Sequence, residues 1–227
     1  MHSEDGLSQL CPWYKPSSLG PWPYIVRHCI LGLEHLHNNG IRHGDLRTGK
    51  VLLVDESDGA SPGSKVRAVI SDLGIGKGYM EVEKTTSDGA DLHLAPEEKA
   101  PASGTYRSDI SSLGYCISWI HALLSSENKQ GISQLDELCT CGSSDTFGHV
   151  PPLLKLLRQT LDKTKHQDMI KFLFTLEDMI ASTLLEESAY RSSLQWILAT
   201  LDAYIIATMD EIAVVELGQP TCTLPAD

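Results

Sequence analysis

Two short acidic motifs carry the chemistry this sequence could perform. His43-Gly44-Asp45-Leu46 and Asp72-Leu73-Gly74 each set a carboxylate among turn-forming residues. Two carboxylates brought to one loop edge can serve as a base and a metal ligand, the pair that phosphoryl transfer uses. Taken singly, either aspartate reads as turn chemistry, because Asp hydrogen-bonds its own neighbouring backbone. What lies between them changes that reading: two strand-like runs separate the motifs, and a hairpin returns its ends to one neighbourhood, so Asp45 and Asp72 should meet. Cys139-Thr140-Cys141 with His149 is the other grouping with ligand chemistry. Paired zinc ligands come in two spaced sets and the second is missing, so zinc is not expected.

The elements that must position these residues follow from periodicity. From Tyr24 to Asn38 the apolar residues Ile25, Val26, Cys29, Ile30, Leu33 and Leu36 recur at helical spacing, and Gly40 is a helix stop. Before it, Pro12, Pro16, Pro21 and Pro23 interrupt any regular element, which predicts an irregular lead-in. Val51 to Val54 and Val66 to Ile70 read as the two strands, with a Gly, Ser, Asp and Pro rich connection. A long loop follows Asp72 and continues through Asp91. Ile110 to Leu124 is apolar nearly all round and so predicts a buried helix. Leu153 to Leu161, Met169 to Leu185 and Leu194 to Ala213 predict three more, the first with Leu153, Leu156, Leu157 and Leu161 in one stripe.

With 227 residues, 41% of them hydrophobic and 21% charged, the chain can bury the core of one domain. Its formal net charge of -12 repels nucleic acid and anionic membranes, and neither is expected as a partner. Residues Met1 to Gly6 contain no basic or apolar run, and no stretch reaches membrane-spanning length. An intracellular, cytoplasmic chain is expected, with its six cysteines reduced and mostly packed.

Gly32-Leu33-Glu34-His35-Leu36-His37 together with the run from His43 through Lys50-Val51-Leu52-Leu53 closely resembles the helix and catalytic loop of protein kinases. Further motifs follow in the family's order: Asp72-Leu73-Gly74 looks like its metal-binding Asp-Phe-Gly, Ala95-Pro96-Glu97 like the end of its activation segment, and Asp109 to Gly114 like the start of its large central helix. Arg191 stands where the family has an arginine that pairs with that Glu. The resemblance covers about residues 24 to 200. It implies Asp45 as the catalytic carboxylate with Arg47 beside it, Asp72 as a magnesium ligand, and ATP and magnesium as cofactors. It also implies structural roles for His43, for the ion pair of Glu97 with Arg191, and for Asp109 as acceptor of hydrogen bonds from the catalytic-loop backbone.

The fold class implied is mainly α with a small β-hairpin, a protein-kinase-like carboxyl-terminal lobe lacking a recognisable amino-terminal lobe. Residues 1–23 form the lead-in, 24–214 the lobe and 215–227 a tail. Before residue 24 the only glycines are Gly6 and Gly20 and the only lysine is Lys15, too few for the family's phosphate-binding loop and lysine-bearing strand.

The motifs also depart from the family's pattern. Gly44 replaces the Arg that receives a phosphorylated activation loop. Arg47 replaces a Lys that contacts the transferred phosphate, and a planar fork is not equivalent to an ammonium. Lys50 replaces the Asn that holds a second magnesium, putting donors where a metal needs oxygen, although it could meet nucleotide phosphates directly. Ala90 lacks the hydroxyl of the family's Thr, while Thr85, Thr86 and Ser87 offer hydroxyls for phosphorylation. The resemblance with these departures implies a catalytically impaired pseudokinase, a binding or scaffolding module that meets a protein partner or itself on the surface an amino-terminal lobe would cover. The irregular Trp13, Tyr14 and Trp22 lead-in could cover part of that surface. One alternative is an active protein kinase that transfers the ATP γ-phosphate to protein Ser/Thr hydroxyls. Another is a small-molecule phosphotransferase, since aminoglycoside and choline kinases write His-Gly-Asp in this way and their Asn would also fall at Lys50. Ala95-Pro96-Glu97, Asp109 and Arg191 are features those enzymes lack.

Overall fold

A computed structural model describes residues 19–56, 66–73, 95, 105–125, 135, 150–160 and 166–217. Among them the chain is mostly helical with one two-stranded antiparallel sheet, an architecture consistent with a kinase carboxyl-terminal lobe. Helix α1 spans Trp22–Asn38, strand β1 Val51–Asp55 and strand β2 Val66–Ile70. The helices α2 (Tyr106–Ser125), α3 (Val150–Thr160), α4 (Gln167–Thr183) and α5 (Leu194–Leu217) follow.

Helix α1 begins two residues before its apolar period suggests, with Pro21 as its cap and Pro23 inside its first turn. The first N–H groups of a helix have no intrahelical acceptor, so a proline there removes nothing. The expected interruption at Pro21 and Pro23 is therefore corrected to a helix start. At the other end Gly40 takes φ +72, Ile41 N–H donates to Leu36 O at 2.9 Å and Gly40 N–H to His37 O at 3.0 Å. This pair of closing bonds satisfies the last carbonyls and turns the chain toward His43.

Helix α2 is the axis of the core, with every residue from Ser108 to Ser125 buried, as an all-round apolar helix should be. It packs chiefly on α4, while α1 lies against β2, α5 and α2. Gly114 lets α2 and α4 approach: a Cβ built there would run into Thr183 Oγ1 and lie 2.9 Å from Leu184 Cδ2. Leu153, Leu157, Met169, Phe172, Leu173, Leu176, Met179 and Ile180 fill the space between α2, α3 and α4, each fully buried side chain of this kind contributing about 1.5–3 kcal/mol. Leu156 of the predicted stripe is half-buried.

The hairpin pairs Val51 with Ile70, Leu53 with Ala68 and Asp55 with Val66. Val51, Val66 and Ala68 are buried in the core shared with α1, while Leu52 and Val54, on the alternate face, are 49% and 38% exposed. Cys29 on α1 and Cys116 on α2 are free and buried. Burial pushes the Cys29 thiol up to about 12 and raises that of Cys116 as well, which keeps both protonated and unreactive. Among the described residues no helix is long and apolar enough to cross a membrane.

Candidate functional site

Three pieces of chain converge where α1 hands over to the hairpin: the loop after Gly40, the exit of β2 at Ser71 and Asp72, and the first turns of α2. Asp109 joins the first to the third. Its Oδ2 accepts from His43 N–H and from His37 Nε2, both at 2.9 Å, and its Oδ1 accepts from Gly44 N–H at 2.9 Å. At 1% exposure this carboxylate has exchanged water for fixed donors. Gly44 sits at φ +75, a left-handed conformation in which glycine carries no steric cost.

His43 ties the loop to the hairpin. Its side chain is fully buried, Nδ1 accepts from Asp45 N–H at 3.2 Å, and Nε2 lies 3.1 Å from Ser71 O. Because Nδ1 must present a lone pair to a backbone donor, the proton belongs on Nε2, which donates to Ser71 O. One neutral imidazole thereby fixes the backbone on which Asp45 sits relative to the strand exit that carries Asp72. Ser71 reinforces this from the other side, its N–H and Oγ donating to Lys50 O at 2.8 and 3.0 Å.

The side chains at this corner carry balanced charge. The Lys50 ammonium pairs directly with Asp72 Oδ2 and lies 3.9 Å from Asp45 Oδ2. Arg47 Nε is 3.8 Å from Asp45 Oδ1, beyond hydrogen-bond distance. Asp72 takes φ +63, a backbone conformation that a short polar side chain tolerates better than most but still at a cost. Asp45, Arg47, Lys50 and Asp72 are thus in one cluster, with Asp72 about half exposed and Asp45 and Lys50 mostly covered.

Arg191 lies elsewhere, below α2, at 2% exposure. Its Nε donates to Leu185 O at 2.8 Å, Nη1 to Arg107 O at 2.9 Å and Nη2 to Glu186 O at 3.3 Å, and the Arg107 guanidinium bonds back to Arg191 O. It clamps the turn between α4 and α5 to the start of α2. Glu97, its expected partner, lies outside the described residues, as do Thr85, Thr86, Ser87, Ala90, Cys139, Cys141, His149, Trp13 and Tyr14. Among the described residues there is no cluster of three or more His, Cys, Asp or Glu able to hold a metal.

Two contributors were given no role by the motifs. His37 stands four residues after Leu33 and eight after Cys29, on the buried stripe of α1, where a polar side chain demands a partner. That signal was available, although only the fold shows that the partner is Asp109. Ser71 carried none, since its role depends on the backbone of Lys50 across the hairpin.

No protein-family model matches the chain. It is similar to several protein kinases over part of its length. The serine/threonine-protein kinase Nek6 of Oryza sativa subsp. japonica is 33% identical over 88 residues, 39% of this chain and 15% of that protein. The serine/threonine-protein kinase/endoribonuclease ire-1 of Caenorhabditis elegans is 37% identical over 100 residues, 41% of this chain and 10% of the relative. The rice protein of the same description, IRE1, is 29% identical over 146 residues, covering 61% of this chain. The matches span only 10 to 15% of the length of these three relatives. Over the matched stretches the chain is protein-kinase-like. Protein kinases hold magnesium with the Asp of Asp-Phe-Gly and an Asn of the catalytic loop. The resemblance implies Asp72 and Lys50 at these positions, and an ammonium bonded to Asp72 supplies no oxygen to a divalent ion. The donor set does not fit magnesium.

Proposed function

We propose that the chain is a protein-kinase-like domain impaired in catalysis, a pseudokinase, which acts by binding other proteins. The observation that carries the reading is the Lys50 ammonium on Asp72, 3.9 Å from Asp45, where phosphoryl transfer needs one carboxylate on metal and the other facing the acceptor hydroxyl. The rest of the corner supports a retained fold without retained chemistry: Asp109 and His43 are fully engaged in holding loops, and neither offers a free proton acceptor to a substrate. A nucleotide held here would depend on Lys50 and Arg47 for charge neutralisation, not on a bridging metal.

Incubating the chain with γ-labelled ATP, magnesium and protein substrates tests the reading. Label transfer should not exceed that of an Asp72→Ala control. Transfer that Asp72→Ala abolishes would overturn the proposal in favour of an active Ser/Thr kinase, the reading supported by the retention of both Asp45 and Asp72 in one cluster.

The binding role draws on the outer face of the hairpin. Leu52 and Val54 are 49% and 38% exposed on the same face of β1, and adjacent apolar side chains suit a protein contact better than water. The proposed occupant is another protein chain, a partner or a second copy. Sedimentation of the full chain at rising concentration should show association that Leu52→Glu reduces; a monomer at all concentrations removes the second copy from consideration.

A further inference from the structure

Asp45 and Asp72 present hard oxygen donors at one corner, the ligand chemistry of a divalent cation. The space they share is already taken by a cation covalently part of the chain. Lys50 Nζ is bonded to Asp72 Oδ2 and 3.9 Å from Asp45 Oδ2, and its side chain is only 17% exposed. The lysine is also fixed at its base: it ends the short helical turn Thr48–Lys50, and its carbonyl accepts from both the N–H and the Oγ of Ser71. Moving the ammonium away would take from the two carboxylates the cation they share, while Arg47 Nε stays 3.8 Å from Asp45 Oδ1.

We infer that Lys50 is a resident cation that takes the place of a divalent metal at the Asp45–Asp72 pair and excludes metal from it. A divalent ion bridging the Asp45–Asp72 pair must displace the ammonium from Asp72 Oδ2 or tolerate it as a like charge a few ångströms away, with no oxygen gained in return. The same pairing offsets the cost of the left-handed Asp72 backbone, because it anchors the side chain of the one non-glycine residue at positive φ among those described. The corner is consequently charge-balanced without metal, and any phosphate-bearing ligand would be met by Lys50 and Arg47 directly. The inference rests on reading the two aspartates as the remains of a phosphoryl-transfer pair, but it concerns metal alone and is tested without nucleotide.

The probe is manganese, followed by the loss of the free-ion electron paramagnetic resonance signal in the presence of the full chain. The wild-type protein should remove no more manganese than Asp72→Asn. Lys50→Asn should bind it at least about 10-fold more tightly than wild type, since it exchanges an ammonium for an amide oxygen beside two carboxylates, and adding Asp72→Asn to that variant should abolish the gain. Lys50→Gln, which keeps more of the stem, serves if Lys50→Asn melts early, and circular dichroism establishes that each protein is folded. Wild-type binding that Asp72→Asn removes would overturn the inference, as would folded Lys50 variants that gain nothing. Phosphate transfer by a wild-type chain that takes up no manganese at this pair would defeat the proposed function while leaving the resident cation standing.

Discussion

Two histidines of this molecule are equally buried and are treated in opposite ways. His43, in the loop between α1 and the hairpin, has both ring nitrogens engaged, one by Asp45 N–H and the other by Ser71 O. His121, toward the C-terminal end of α2, has no close hydrogen-bond partner at either nitrogen among the described residues, and its Nε2 stands 3.5 Å from Glu177 Oε1. Glu177 is held instead through its other oxygen by Arg158 Nε at 2.6 Å. In the loop, irregular backbone has no ladder of its own and each buried polar group must find a side-chain or main-chain partner, so hydrogen bonds determine the geometry. In the helical core the backbone is self-satisfied and close packing determines it, which lets one imidazole rest on a single long contact with Glu177. The first region should be sensitive to lost acceptors, the second to added volume.

The largest effect expected from this contrast is at Asp109. Asp109→Ala leaves the His43 and Gly44 N–H groups and His37 Nε2 without their acceptor, and unpaired buried donors at about 1–3 kcal/mol each put the loss above about 3 kcal/mol. Urea unfolding followed by circular dichroism should show the midpoint collapse; a loss under 1 kcal/mol would mean that the loop is not held by this carboxylate. His43→Leu comes next, at about 2 kcal/mol, because it orphans Asp45 N–H and Ser71 O while keeping the volume. If that variant is as stable as wild type, the difference between the two histidines is one of appearance only.

Part of this loop was legible in the sequence. His43, Gly44 and Asp45 form a short motif that resembles a kinase catalytic loop, and the β-branched and apolar runs from Val51 to Val54 and Val66 to Ile70 mark the strands that bring Asp72 back to it, whereas the partners that hold the motif, Asp109 and Ser71, lie far away in sequence. Helix α2 was equally plain, since residues 110 to 124 leave no polar face. The start of α1 was misjudged because Pro23 was weighed as an interruption, when in the first turn it costs no bond. The Lys50–Asp72 pair could not be read at all: it requires the hairpin register Val51 to Ile70 and the curl of residues 48 to 50 that precedes it. The cluster of His121, Arg158 and Glu177 was hidden for a related reason, as its members come from three helices whose faces meet only in the packed core.

The core half of the comparison is tested by volume. Gly114→Ala places a Cβ against Thr183 Oγ1 and 2.9 Å from Leu184 Cδ2. Thr183 cannot simply rotate away, because its hydroxyl is bonded back to Met179 O at 2.9 Å and Ile180 O at 3.1 Å. One methyl group should therefore cost about 1–3 kcal/mol, the range for overpacking. Tolerance of that methyl group would show that α2 and α4 can separate, and would weaken the claim that packing governs this half.

The smallest effect is at His121 and is visible mainly in its pH dependence. Burial pushes its imidazole below the ordinary 6.5, against the pull of the nearby Glu177 carboxylate. The folded chain then binds fewer protons than the unfolded one in mild acid. The stability this residue contributes is present above pH 6.5 and is lost as pH falls through the lower folded value. Glu177 runs in the same direction further down: burial alone would raise its carboxyl, but His121 and Arg158 together overcome this and hold it below 4.5, so its contribution fades as pH falls through that depressed value. His121→Leu removes an imidazole whose one contact with Glu177, at 3.5 Å, sits at the limit of hydrogen-bond distance, so at pH 7.5 it should change stability by less than about 1 kcal/mol in either direction. Comparing urea midpoints at pH 7.5 and 5.5 should then show wild type losing stability in acid and His121→Leu losing less. An unchanged pH dependence would place the mild-acid sensitivity elsewhere, and a large loss at pH 7.5 would mean that His121, like His43, has a bond to lose.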